Sequence, residues 1–108
     1  MLENQANSVY LAIGSNLGNK IQNIQKSIFL LSEKVSINKI SGFYETPSWP
    51  NEKEPKFLNI VIHVHTSLSI IELYKFCLNI EKILGRLRHG KNKPRTCDID
   101  VIDFNRKV

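Results

Sequence analysis

Two segments of helical periodicity, residues 20–33 and 69–84, are each enclosed by runs of strand character, and this order restricts the possible folds more than any other feature of the chain. Val9 to Ile13 is a short apolar run halted by Gly14-Ser15-Asn16, which predicts an interior strand entering a tight turn. Asn19 with Gln22 three residues on has the form of a helix N-terminus, and Ile21, Ile24, Ile28 and Leu31 recur behind it at helical spacing. Val35 to Thr46 alternates loosely and predicts one longer strand, closed by Pro47, whose ring and missing N–H do not suit continued pairing. Residues 47–55, PSWPNEKEP, form a loop in which Trp49 either packs back on the core or reaches a ligand. Phe57 to Thr66 is a second long strand, with Leu58, Ile60, Ile62 and Val64 on one face and Phe57, Asn59, Val61, His63 and His65 on the other. Ser69 and Glu72 make a stronger capping box ahead of the stripe Ile70, Leu73, Cys77, Ile80 and Leu84, which Phe76 and Ile83 widen and Gly85 ends. Cys97 to Phe104 is the last strand.

The resulting formula is β-α-β-β-α-β, an α+β ferredoxin-like sandwich of four mainly antiparallel strands with both helices on one face. Right-handed crossovers are expected to set the first and last strands beside the strands they face across the helices. The other sheet face is left uncovered. A chain of 108 residues makes one domain, with residues 1–8 as a flexible lead-in and 9–108 as the core. A hydrophobic share of 42% with 23% charged residues excludes a disordered chain. No apolar run is long enough to span a bilayer, so no membrane partner is expected. MLENQANS lacks the basic start and long apolar core of a signal peptide. Cys77 and Cys97 stand at no metal or redox spacing, and free buried thiols suit a reducing compartment, so a cytoplasmic location is expected.

Charge then directs attention to the end of the chain. The formal net charge is +5, and Arg86 to Arg95, with five Lys or Arg and no acid, supplies all of it. Such concentration favours one localised anionic partner over a generally basic surface. Asp98 and Asp100 follow at once, two apart on a strand, so both carboxylates point to one side. Their repulsion is relieved when a cation shares the site, and Mg²⁺ takes carboxylate and phosphate oxygens together. The alternative is a solvated edge strand with its charges turned outward. Arg86, Arg88, Lys91, Lys93 and Arg95 can hold a triphosphate and stabilise charge moving during its transfer. Arg86 and Arg88 also suit the ordinary role of basic residues beyond a helix C-terminus. Gly14 to Gly18 lacks the lysine and the glycine spacing of a phosphate loop. His63 and His65 share a strand face, yet nothing is spaced to complete a zinc site with them, and no metal is assigned there.

The chain resembles the 6-hydroxymethyl-7,8-dihydropterin pyrophosphokinase family of folate biosynthesis. The resemblance rests on YLAIGSNLGN at 10–19, SGFYETP at 41–47, KFLNIVI at 56–62, IEKILGRLR at 80–88 and KPRTCDIDVIDF at 93–104, in order and across nearly the whole chain. It implies transfer of pyrophosphate from ATP to the pterin hydroxymethyl group, giving AMP, with two Mg²⁺ ions held by Asp98 and Asp100. It further implies catalytic roles for Arg86 and Arg95 beside the acidic pair, and ATP contacts from Glu81, Arg88, Lys91, Lys93, Arg95 and Ile99. The pterin pocket is implied at Thr46, Pro47, Phe57, Asn59 and Asp98, with Phe57 stacking on the ring and Asn59 hydrogen-bonding it. Lys93 stands where the family commonly has glycine, and Asn92 where it often has an aromatic. Members of the family usually continue past the last core strand, so the pocket is expected to be completed by self-association or by a separate polypeptide. Two other readings remain: a truncated or decayed relative that binds nucleotide with little turnover, and a ferredoxin-like nucleic-acid module. The second is disfavoured, because the strands lack the aromatic pattern of RNA binders and the basic charge is confined beside two acids.

Overall fold

The computed structural model describes residues 6–48, 52–85 and 96–107. Its elements are β1 (Asn7–Ser15), α1 (Lys20–Leu31), β2 (Val35–Ile40), β3 (Tyr44–Thr46), β4 (Phe57–Thr66), α2 (Ile70–Ile83) and β5 (Asp98–Phe104). The sheet runs β2-β4-β1-β5 with β3 added to β4, and every pairing is antiparallel. This is the ferredoxin-like arrangement read from the sequence, with one difference in neighbours. Each helix spans an intervening strand: β4 lies between β1 and β2, and β1 lies between β4 and β5. The two crossover units are thereby interleaved, and the gap each leaves is filled by the first strand of the other.

Both helices pack on one sheet face, over a core of Val9, Leu11, Ile13, Ile24, Leu31, Val35, Ile60, Ile62, Val64, Leu73, Cys77, Ile80, Cys97 and Ile99. Each fully buried Leu or Ile contributes roughly 1.5–3 kcal/mol in area removed from water. The helical stripes are narrower than the periodicity predicts. Ile21, Ile70 and Ile83 are about half exposed, and Ser27 takes a buried place on α1 by donating its hydroxyl to the Ile24 carbonyl at 2.7 Å. Asn19 Oδ1 accepts from Gln22 N at 3.1 Å, while the Ser69–Glu72 box closes in both directions.

The long strand expected over 35–46 is broken. β2 ends at Ile40, and β3 resumes at Tyr44 after Ser41-Gly42-Phe43. Ser41 replaces the ladder at the break: its hydroxyl accepts from Val61 N at 2.8 Å and its amide donates to the Val61 carbonyl at 2.9 Å. β1 begins at Asn7, whose side chain donates to the Leu68 carbonyl, so pairing extends two residues ahead of the apolar run. Beyond β5 the chain reverses at Asn105 and Arg106, both at positive φ, with Phe104 bridged to Lys107. Among the described residues no helix is long and apolar enough to cross a membrane.

Candidate functional site

The face without helices is where polar chemistry collects, and register decides which residues meet there. Leu11, Ile13, Ile60, Ile62 and Ile99 face the core, so the residues alternating with them share the opposite side. Gly14 on the central strand pairs with Asn59 on one side and Asp98 on the other. In the next row Ala12 pairs with Val61 and with Asp100. Two of the smallest residues thus floor the space between Asn59 and the acidic pair, a gap of two strand spacings, roughly 10 Å.

Asn59 is held in a defined orientation. Its Nδ2 donates to Thr46 Oγ1 at 2.9 Å, with longer approaches of 3.3 Å to the Tyr44 and Phe57 carbonyls. Its Oδ1 is therefore directed over β1, where a Cβ placed on Gly14 would lie 2.8 Å from that oxygen and 3.3 Å from Phe57 Cδ1. The absence of a side chain at Gly14 lets both groups lie across the central strand. A half-buried acceptor beside an aromatic edge suits a flat heterocycle that carries N–H donors.

Asp98 is half-buried and Asp100 exposed. Both supply hard oxygen donors, and the small residues beside them leave room for an ion. The described residues contain no group of three or more metal-ligating side chains, so any Mg²⁺ here would take its remaining oxygens from water and phosphate. The pair fits that cation. Glu81 approaches the same strand from the helix side. It is 3% exposed, and its Oε2 accepts the Ile99 amide at 2.8 Å. Nearby, burial and the Glu81 charge push the Cys77 thiol up to about 12, and burial followed by the same charge does likewise for Cys97.

The residues expected at the site therefore divide into groups. Thr46, Phe57, Asn59, Asp98 and Asp100 come together on or at the rim of the open face, and exposed Pro47 follows β3 directly. Ile99 points its side chain into the core and spends its amide on Glu81, so both residues hold the strand from beneath. Arg86, Arg88, Lys91, Lys93 and Arg95, together with Trp49, lie outside the described residues.

Sequence reasoning passed over Asn16 and Ser48. Asn16 is 2% exposed, and its Nδ2 donates to Ser48 Oγ at 3.0 Å and to the Pro55 carbonyl at 3.1 Å; Ser48 also donates to that carbonyl at 2.6 Å. The turn after β1 thus fastens both ends of the loop after Pro47. The available signal was a polar GSN turn facing a loop otherwise short of anchors. His63 is satisfied on both ring nitrogens, by Ser8 Oγ at 2.7 Å and Asn38 Nδ2 at 2.8 Å. It stacks on Tyr10 and borders a shallow groove of about 280 Å³ at the far end of this face.

Comparison with known proteins places these residues in context. The family model described as 7,8-dihydro-6-hydroxymethylpterin-pyrophosphokinase matches residues 10–108. A 2-amino-4-hydroxy-6-hydroxymethyldihydropteridine pyrophosphokinase of Bacillus subtilis is 37% identical over 103 residues, covering 94% of this chain and 62% of its own. The protein of the same description from Aquifex aeolicus is 41% identical over 101 residues, covering 94% and 63%. A folic acid synthesis protein of Dictyostelium discoideum is 40% identical over 99 residues, 92% of this chain and 15% of its own. The chain thus spans less than two thirds of the length of these relatives.

Proposed function

The chain belongs to the 7,8-dihydro-6-hydroxymethylpterin-pyrophosphokinase family, and from that premise we propose that it transfers pyrophosphate from ATP to 6-hydroxymethyl-7,8-dihydropterin in folate biosynthesis, releasing AMP. The observation that carries this reading is the pairing of Gly14 with both Asn59 and Asp98, which sets a heterocycle acceptor and a carboxylate pair on one open face. In the proposed reaction the hydroxymethyl oxygen bonds to the β-phosphorus of ATP, the bond from that phosphorus to the α–β bridging oxygen breaks, and the hydroxyl proton is released.

Such a transfer asks the protein for alignment and fixed charge more than for covalent chemistry. Asn59 Oδ1 accepts from a pterin N–H while Phe57 covers the ring, with Thr46 locking the amide and Pro47 bounding the pocket. Asp98 and Asp100 would hold Mg²⁺, which when bound neutralises and orients the triphosphate. Arg86, Arg88, Lys91, Lys93 and Arg95 are proposed to carry the remaining phosphate contacts, with Arg86 and Arg95 in catalytic roles.

Calorimetry with a nonhydrolysable ATP analogue is expected to show binding that requires Mg²⁺. Asp98→Ala is expected to weaken the Mg²⁺-dependent binding at least about tenfold, or 1.4 kcal/mol. Unchanged Mg²⁺ dependence in the variant removes the metal assignment. AMP formation from ATP and the hydroxymethyl pterin, followed over a range of protein concentrations, tests turnover; a rate rising faster than concentration marks a pocket completed by a second copy. Nucleotide binding with no AMP at any concentration leaves a binding protein and overturns the catalytic reading.

A further inference from the structure

β5 opens at Asp98, three positions beyond the basic segment 86–95, and among the described residues it lies at the edge of the sheet with β1 on one side only. An edge strand is weakly constrained, since one row of its backbone groups has no neighbouring ladder. Here one bond from α2 supplies an acceptor to that row, Glu81 Oε2 accepting from Ile99 N at 2.8 Å, while just ahead of the strand Thr96 Oγ1 donates to the Leu84 carbonyl at 2.7 Å. The Glu81 bond reaches the peptide unit that joins Asp98 to Ile99, between the two carboxylates proposed to hold Mg²⁺.

We propose that Glu81 is a positioning residue for that acidic pair: its carboxylate fixes the Ile99 amide, and through it the backbone from which Asp98 and Asp100 both project onto the open face. The inference rests on the functional reading above, and it gives Glu81 a role through the strand in place of direct contact with nucleotide. Three physical points converge on it. A carboxylate that is 3% exposed is costly to bury, and a charge-assisted bond to a backbone N–H offsets part of that cost. The buried amide of Ile99 on an edge strand needs an acceptor, and Glu81 supplies one from α2. Finally, fixing the Asp98–Ile99 peptide plane limits ψ at Asp98 and φ at Ile99, the torsions that set the strand pleat and hence whether the two aspartates stay parallel. Groups that orient metal-holding carboxylates from behind typically change metal affinity by about 10–100-fold when removed.

The test compares Glu81→Met, which keeps the length but has no oxygen acceptor, with Glu81→Gln, whose amide oxygen can still accept. Amide exchange is read at Ile99 in the ligand-free protein against Ile62 as an internal core reference. Mg²⁺ is then titrated into the protein with the nonhydrolysable ATP analogue, and Mn²⁺ spectra report the geometry of the bound ion. Glu81→Met is expected to speed Ile99 exchange relative to Ile62 and raise the Mg²⁺ requirement about tenfold or more, while Glu81→Gln keeps both near the parent values. An unchanged Mg²⁺ titration in Glu81→Met overturns the proposal. So does a Gln variant that protects Ile99 yet loses the Mg²⁺ response, which would show that the charge itself acts. If Glu81→Met does not fold, the Gln variant decides alone by that same criterion. A parent chain that protects Ile99 but binds nucleotide without Mg²⁺ overturns the functional reading and the proposal with it, whereas a Mg²⁺-dependent parent isolates any failure to Glu81.

Discussion

Gly14→Ala tests whether the open face is shaped by the missing side chain on its central strand. The backbone at Gly14 is not in the positive-φ region occupied by Gly18 and Gly85, so alanine is tolerated conformationally and shrinks the unfolded ensemble by about 0.4–1 kcal/mol. The new Cβ, however, would stand 2.8 Å from Asn59 Oδ1 and 3.3 Å from Phe57 Cδ1. Asn59 has to swing away and give up its bond to Thr46, a net loss of about 1 kcal/mol, and crowding of Phe57 adds roughly 1–3 kcal/mol. The balance is a destabilisation of roughly 1–3 kcal/mol, measurable by urea unfolding. Pterin binding should suffer more than stability does, because the same displacement moves both the acceptor and the stacking ring; a loss beyond about tenfold is expected by calorimetry with the ATP analogue present. In an Asn59→Ala background the added methyl meets less, so the two changes should couple by about 1–2 kcal/mol in a double-mutant cycle. Normal pterin affinity in Gly14→Ala, or strict additivity with Asn59→Ala, would refute the argument.

Two further outcomes follow from groups away from the site. Both thiols are raised in the fold from 9.0 to about 12, so their contribution is complete below the unfolded value and is lost as pH climbs through that window; between about pH 8 and pH 10 the protein should lose about 3 kcal/mol of stability, and Cys77→Ala or Cys97→Ala should each roughly halve that slope. Arg106 sits at φ 64, where a side chain is strained, so Arg106→Gly should raise the urea midpoint by an amount equivalent to about 1 kcal/mol; no gain would mean that the Asp103 carboxylate, which accepts from Arg106 N, already holds the turn as tightly as glycine would.

What was legible in the sequence was what period and punctuation encode. The order of strands and helices, the Ser69–Glu72 box, the two faces of β4 and the common side of Asp98 and Asp100 all follow from spacing alone. Neighbour relations did not, because interleaved crossovers depend on which strand fills which gap, and no local pattern records that. Ile21, Ile70 and Ile83 fit a helical stripe by spacing, yet they stand at or next to helix ends and are left about half exposed, while Ile24, Leu31, Leu73, Cys77 and Ile80 are buried. The break between β2 and β3 was hidden for a different reason: Ser41 can imitate a ladder partner with its hydroxyl, and an SG pair inside an alternating run reads equally well as strand. Glu81 entered the sequence reading only as an ATP contact implied by the family resemblance, with no sign of what its carboxylate holds. Its bond to Ile99 joins residues 18 apart across the basic segment, a relation that only the packed structure provides.

The position of the site on the sheet can itself be traced to one strand. Along its open side β1 presents Tyr10, then Ala12, then Gly14, while its core side stays uniformly large with Val9, Leu11 and Ile13. Side-chain size therefore falls by steps from one end of the open face to the other. At the Tyr10 end the ring stacks on His63 at a centroid distance of 4.6 Å, and His63 meets His65 edge-on at 4.8 Å, so aromatic rings stand on the sheet there and border the shallow groove. At the Gly14 end nothing rises from the central strand, and Asn59 and Asp98 face each other across the gap. At the Tyr10 end the same polar residues would be separated by a ring on the central strand, whereas at Gly14 no side chain of β1 stands between them. The taper of β1 thus sets where a flat ligand can approach the acidic pair, and it explains why a glycine inside a strand, normally a weakness, is placed where the chemistry is proposed to occur.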